Sequence, residues 1–446
     1  AISEEERQKI EAEKADKRKA RKNNGAKRDM HYEMEQEEHD VYPDDPDFDI
    51  NKARLVTTAP RICVRYECVP MRFIKHVYRI HTYAQDGRLF EGKTPVSAFL
   101  NSSYDGSFIA GLMELRYIQS LPVERIINYF ESHGFTLKKP TAHKLIEKAS
   151  SLFENLYKCI RQTALSDPYK AADETYYKIL VPEKNSKGKG VRKGYLWVVV
   201  GINTRMIYLL YDDGSRSERV ILNELGSCKG IIQSDGYSPY RKLESDAYPN
   251  ITRIPCLQHI KRKFIDCGEK DPDAKRIVEL INALYQNEHK HKVGVEGWTV
   301  EQNLMHRKKY APDILGEIKD VLDEIEERGD LLPKSELQEA ITYLRNEWNA
   351  VVDIFNYGDT YLDNNMVERM NRYISLSRKN SLFFGSHKGA ERGAILYTIA
   401  LTCRMHKVNL FEYLTDVINR TAEWQPNTPI EKYRELLPDR WEKAND

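Results

Sequence analysis

The hydrophobic pattern of this chain changes period several times, and each change predicts a different element. Between Arg54 and about Thr94, RICVRYECVPMRF and HVYRIHTY alternate apolar with polar or basic residues, and DGRLFEG has turn chemistry, so a small sheet is expected. From 107 to 160 the apolar positions recur at helical spacing. SFIAGLMELRYIQSL reads as a helix, Pro122 opens a second that Gly134 ends, and KKPTAHKLIEKASSLFENLYKCI reads as one long amphipathic third. Strand character begins near Tyr169 with YKAADETYYKIL, GYLWVVVGI and RMIYLLYDDG, divided by a Lys/Gly loop and an Asn203-Thr204 turn. ERVILNELG reads as a short helix, GIIQSDGY as a fourth strand and ITRIPCL as a fifth. Three hairpin-connected strands, a helix and further strands predict an α/β fold: a mixed sheet with helices on its faces. Three amphipathic stretches between 260 and 360 then predict an all-helical insertion of about a hundred residues, and a Gly-rich turn with two more helices closes the chain.

Length and composition bound this picture. A chain of 446 residues exceeds one typical domain, and 41% hydrophobic residues are enough for globular cores. The 69 basic residues against 68 acidic ones mean that a nucleic-acid surface has to come from segregated charge. No apolar run approaches a membrane span, and the seven scattered cysteines fit a reducing compartment better than a disulfide framework. The expected units are a charged arm at 1–50, a β-rich module at 51–100 and a helical domain at 101–165. A first core segment follows at 166–265, the helical insertion at 266–360, a second core segment at 361–400 and a helical region at 401–446.

Candidate chemistry gathers at a few places. Asp173 lies in the first strand of the sheet among small or apolar residues, and Asp235 lies just past the fourth. Each alone reads first as a strand-end turn residue; together they suggest a metal site, because a buried carboxylate is costly without a cation. The polar stretch Asp363-Asn-Asn-Met-Val-Glu-Arg-Met-Asn-Arg372 presents Glu368 with little apolar surface around it, so a site and a salt-bridged surface helix are both open readings. The second and third early helices resemble a helix-turn-helix, whose Lys138, Lys139, Thr141, His143 and Lys144 could meet DNA; an ordinary helical hairpin looks the same. Lys261, Arg262, Lys263, Asn364, Asn365, Arg369 and Arg372 are further candidates for DNA contact. So are Arg378, Lys379, His387 and Lys388, which flank the pair Phe383-Phe384. Zinc is not expected: Cys63 and Cys68 lack a second pair, and Cys256-x-x-His259 has only Cys267, His289 and His291 at irregular spacing.

ADETYY, QSDGYSPY, CLQHIKRKF, DNNMVERMNR and RKNSLFFGSHKGAERGA, in that order across roughly 105–420, resemble the transposases of the insertion sequence 66 family. The resemblance implies an RNase H-like fold with Asp173, Asp235 and Glu368 as its catalytic, metal-binding triad. The helical insertion would leave that fold after the fifth strand and return at the Glu368 helix. It further implies two Mg²⁺ ions, with Mn²⁺ as a substitute and Asp173 shared between them. Cleavage and strand transfer at double-stranded element ends are implied, by a homo-oligomer in the bacterial cytoplasm, with accessory proteins of the same element as possible partners. Two other readings stay open: an RNase H-like nuclease or resolvase without transposition, and a non-enzymatic DNA-binding protein derived from a transposase.

Overall fold

The computed structural model describes residues 71–443, apart from 78, 80, 86–87, 92–96, 100–101, 185–187, 189, 269–270, 291–296, 423 and 426. The expected arm at 1–50 and the β-like segment up to residue 70 lie outside the described residues. Of the small β module, two strands are described, β1 (Thr82–Gln85) and β2 (Arg88–Glu91), antiparallel with Gln85 opposite Arg88. Residues 71–77, expected to be strand, are irregular.

Four helices precede the main sheet: α1 (Gly106–Tyr117), α2 (Val123–Ser132), α3 (Lys139–Leu152) and α4 (Glu154–Ser166). The single long helix expected from 138 to 160 is broken. Phe153 leaves helical geometry with φ −90° and ψ 4° and is fully buried, so anchoring its ring in the core turns the chain between α3 and α4. Asp105 caps α1 by accepting the Phe108 N–H.

The sheet has the strand order β5-β4-β3-β6-β7, formed by β3 (Tyr169–Leu180), β4 (Val191–Gly201), β5 (Ile207–Leu210), β6 (Gly230–Ser234) and β7 (Ile251–Pro255). β3, β4 and β5 form an antiparallel meander, while β6 pairs parallel with β3 and β7 parallel with β6. Parallel pairing needs a crossover, which α5 (Glu218–Leu225) supplies between β5 and β6. A four-residue helix, α6 (Ser238–Arg241), follows β6. After β7 come α7 (Leu257–Asp266) and three further helices, referred to as the lobe: α8 (Pro272–Lys290), α9 (Val300–Arg328) and α10 (Glu336–Ile354). Then follow α11 (Asn365–Asn380), α12 (His387–Met405), α13 (Leu410–Ala422) and α14 (Ile430–Arg434).

Two packing details show why the sequence runs as it does. The edge strand β5 is not left open: Thr398 Oγ1 of α12 accepts the Leu209 N–H at 2.9 Å, and Thr402 Oγ1 donates to the Ile207 carbonyl at 2.9 Å. At the first helix, a Cβ on Gly106 would lie 2.4 Å from Asn419 Oδ1, so glycine lets α1 and α13 approach closely.

Where β7 meets the lobe, Arg253 and Glu347 have no exposed side-chain surface and pair at 2.5 Å. Arg253 also reaches Glu244 at 2.5 Å, Ser234 Oγ at 3.1 Å and the Asp235 carbonyl at 2.8 Å. Replacing Arg253 by Met is expected to cost about 3–5 kcal/mol, because it strands a buried carboxylate. Adding Glu347→Leu should recover part of that loss. The urea midpoints of the single and double variants check this, and a double variant no more stable than the single one refutes it.

Candidate active site

Register places the two aspartates side by side. Ala171 of β3 pairs with Gln233 of the parallel strand β6, and each acid lies two residues beyond that pair, Asp173 within β3 and Asp235 just past the end of β6. Asp173 Oδ1 accepts the Glu174 N–H at 2.8 Å and Oδ2 accepts Asn371 Nδ2–H at 2.6 Å. Burial pushes its pKa up to about 7, and the nearby charges of Glu174 and Asp235 push in the same direction. Glu174 points to the other face of the strand. There Arg216 pairs with it at 2.5 Å and the Tyr240 hydroxyl donates at 3.4 Å, while burial raises its pKa.

Asp235 is held by its backbone. Its carbonyl accepts from Arg253, and its carboxylate accepts the Tyr237 N–H at 3.1 Å. The next residue, Gly236, donates its N–H to the Tyr343 hydroxyl at 2.8 Å; a Cβ there would sit 2.5 Å from that oxygen, which excludes any side chain.

The chain returning from the lobe is laced across the strand ends before α11 begins. The Tyr169 hydroxyl donates to Gln233 Oε1 at 2.6 Å, Gln233 Nε2 donates to the Tyr361 carbonyl at 2.8 Å, and the Leu257 N–H donates to the Leu362 carbonyl at 2.9 Å. Helix α11 starts at Asn365, so Asp363 and Asn364 are not helical as the polar stretch suggested; Asn364 occupies the N-cap position and Asp363 accepts the Asn365 N–H. Along α11, three side chains at seven-residue spacing lie on β3. Asn364 Nδ2 donates to the Ala172 carbonyl at 3.0 Å, Asn371 to Asp173, and Arg378 to Thr175 Oγ1 at 3.2 Å and the Tyr176 carbonyl. Seven residues are nearly two turns, so these positions share one face. Asn371, absent from the sequence-derived candidates, is revealed only by its bond to Asp173, 198 residues away in the chain.

Glu368 stands one turn before Asn371. Its Oε1 lies 3.7 Å from His259 Nε2, its Oε2 lies 4.0 Å from Arg262, and Oε1 is buried with no hydrogen-bond partner among the described residues. Its nearest ionic partners are thus on α7, and its link to the aspartates runs through Asn371. The donor set nevertheless suits a divalent cation. Asp173, Glu174 and Asp235 lie close enough to repel one another, burial and those like charges raise the Asp173 pKa to about 7, and Glu368 keeps an unsatisfied oxygen.

Beside Asp235 opens a cleft of about 380 Å³, whose walls include Arg216, Tyr237, His259, Arg262, Lys263 and Tyr343. Arg262 and Lys263 are exposed there, while Lys261 is half-buried with its ammonium 5.8 Å from the centre of the Tyr285 ring. Lys138, His143, Lys144, Asn365, Arg369, Arg372, Lys379 and Lys388 are exposed and Thr141 is half-buried, while Lys139 is paired with Glu124 at 2.6 Å. Four residues of these polar and aromatic stretches have internal partners. Asn364 is 2% exposed and its amide is spent on β3. Arg378 is spent on the same strand, with its guanidinium 4.1 Å over the Tyr176 ring. His387 is tied to Asp213 at 2.8 Å and Tyr211 at 2.6 Å. Phe384 is core, hydrogen-bonded to β3 through its backbone and packed on Tyr177 at 4.3 Å. Phe383 stays exposed.

The fold and site define an α/β protein that concentrates carboxylates at its central strands beside a cleft lined by both basic and acidic side chains. The family described as Transposase IS66 family matches residues 101–392, and the chain belongs to that family. Three proteins of Sinorhizobium fredii, each named only as uncharacterized, are similar to it. The protein y4jD is 26% identical over 74% of this chain and 65% of its own length, so the chain spans slightly less than two thirds of that relative. The protein y4hP is 23% identical over 89% of this chain and 76% of its own length, and y4qI is 25% identical over 82% and 69%. No helix among the described residues is long and apolar enough to cross a membrane.

If Asp173 and Asp235 share one electrostatic field, Asp235→Asn should lower the Asp173 pKa below about 7, since it removes a like charge. Carboxyl-carbon NMR titration of the metal-free protein measures it, and an unmoved Asp173 titration would count against the pairing.

Proposed function

We propose that this chain is a DNA transposase with an RNase H-like core and an Asp-Asp-Glu triad, cutting element ends and joining them to target DNA. The observation that carries this reading is the juxtaposition of Asp173 and Asp235 two residues beyond a shared parallel register, with the Glu368 helix docked on the same strand through Asn371. The strand order, three antiparallel strands followed by two parallel ones, is the arrangement expected of such a core.

Asp173, Asp235 and Glu368 would hold two Mg²⁺ ions, which activate a water or 3′-hydroxyl nucleophile and stabilise the leaving 3′-oxygen. The rest of the work falls to the chain. Asn371 fixes one oxygen of Asp173, leaving the carboxylate a single orientation. Arg253 and Tyr343 fix the backbone on either side of Asp235, so this acid does not swing away when a phosphate approaches. Arg262 and Lys263, on the wall beside Asp235, would hold phosphate oxygens, and the exposed bases along α3 would track duplex DNA. An element has two ends, each needing a site, so two copies of the chain are placed on DNA.

Glu368→Gln should cut Mg²⁺-dependent cleavage of end-bearing DNA by about 10³-fold or more while leaving DNA affinity nearly unchanged. Retained cleavage would overturn the triad. Hydrolysis without a joined product in the wild type would favour a nuclease over a transposase. The double variant Arg262→Ala/Lys263→Ala should weaken DNA binding and reduce its log-salt slope by about two, one per lost phosphate contact. An unchanged slope would remove this wall from the DNA path.

A further inference from the structure

Sequence spacing offers Cys256 and His259 no convincing further metal ligand, but tertiary structure supplies one. Cys256 sits at the N-cap of α7 and is buried, its sulfur accepting the Asn364 N–H at 3.2 Å. His259 follows one turn later, and Glu368 comes from the first turn of α11. The thiol sulfur, one imidazole nitrogen and one carboxylate oxygen all lie within 4.8 Å of one another.

The spacing suits a metal better than a hydrogen bond. His259 Nε2 and Glu368 Oε1 are 3.7 Å apart, too far for a direct bond. Two ligands of one tetrahedral ion, with bonds of about 2.0–2.3 Å, stand roughly 3.3–3.8 Å apart. Glu368 Oε1 is also buried without a hydrogen-bond partner among the described residues, an unsatisfied state that needs a reason. His259 and Arg262 line the cleft beside Asp235, which gives an ion a way in and leaves room for a water as fourth ligand. Arg262 lies 4.0 Å from Glu368, and a thiolate with a carboxylate outweighs that one positive charge.

We propose that Cys256, His259 and Glu368 bind one Zn²⁺ ion, distinct from the Mg²⁺ ions, and that the bound zinc withholds Glu368 from the acid cluster. Sulfur and imidazole select zinc over magnesium, which prefers oxygen ligands throughout. Binding releases the thiol proton to solvent and involves no redox change. Zinc binding stands independently of the transposase reading; only its effect on cleavage rests on it.

Cobalt(II), added to the full chain in place of zinc, reports the ligands directly. Visible ligand-field bands of tetrahedral intensity and a near-ultraviolet sulfur-to-cobalt charge-transfer band are expected, both bleached by one equivalent of Zn²⁺. Cys256→Ser should remove the charge-transfer band and weaken zinc binding by at least about 100-fold, beyond the loss of an outer-shell partner. An absent sulfur band, or unchanged zinc affinity in Cys256→Ser, overturns the site. If that variant does not fold, His259→Asn should keep the sulfur band while losing affinity to a similar extent, and unchanged affinity again overturns it. In the cleavage assay, zinc should inhibit the wild type and not Cys256→Ser; zinc that binds through sulfur without inhibiting refutes the withholding of Glu368. A chain that never cleaves DNA defeats the transposase reading while the cobalt spectrum still decides the zinc site.

Discussion

A guanidinium and a carboxylate, both shut away from water, face each other where the sheet meets the helical lobe. Arg253 projects from β7 and Glu347 from α10, and the cost of burying two charges is met by their mutual attraction together with the bonds Arg253 makes to Glu244, Ser234 and the Asp235 carbonyl. Burial raises the Glu347 pKa, and the charge of Arg253 beside it opposes part of that rise. An apolar pair would fill this space at less electrostatic cost. What it could not do is hold the carbonyl of Asp235, so the pair ties the position of the lobe to the position of a candidate catalytic acid.

The second constraint is the accumulation of negative charge at the middle of the sheet. Asp173, Glu174 and Asp235 repel one another in a poorly solvated place, and the protein relieves only part of this repulsion. Arg216 neutralises Glu174, and Asn371 offers Asp173 a neutral donor. An amide orients Asp173 without cancelling its charge, and that residual charge is the feature a divalent ion would use.

Helix α11 connects these constraints. Its approach is fixed by the Tyr169, Gln233 and Tyr361 network at the strand ends, and its face is fixed by residues 364, 371 and 378 on β3. Glu368 falls just off that face, toward α7, where His259, Arg262 and Cys256 surround it. The neighbours of Glu368 among the described residues are therefore sulfur, imidazole and guanidinium on α7, while Asp173 is met by Asn371, one turn further along α11.

Local periodicity and turn chemistry determined most of the element list: the five strands, the three lobe helices, and the placement of Asp173 within a strand and Asp235 just past one. These are set by alternation, helical spacing and punctuation, which act over a few residues and are written directly in the chain. Tertiary structure decided what those elements do to one another. The break at Phe153, the burial of Asn364 and Phe384, and the diversion of Arg378 and His387 into internal bonds all follow from partners far away in sequence. Asn371 and the Cys256–His259–Glu368 group were invisible for the same reason, since a side chain's role there depends on what a distant segment places within hydrogen-bonding or ligand distance.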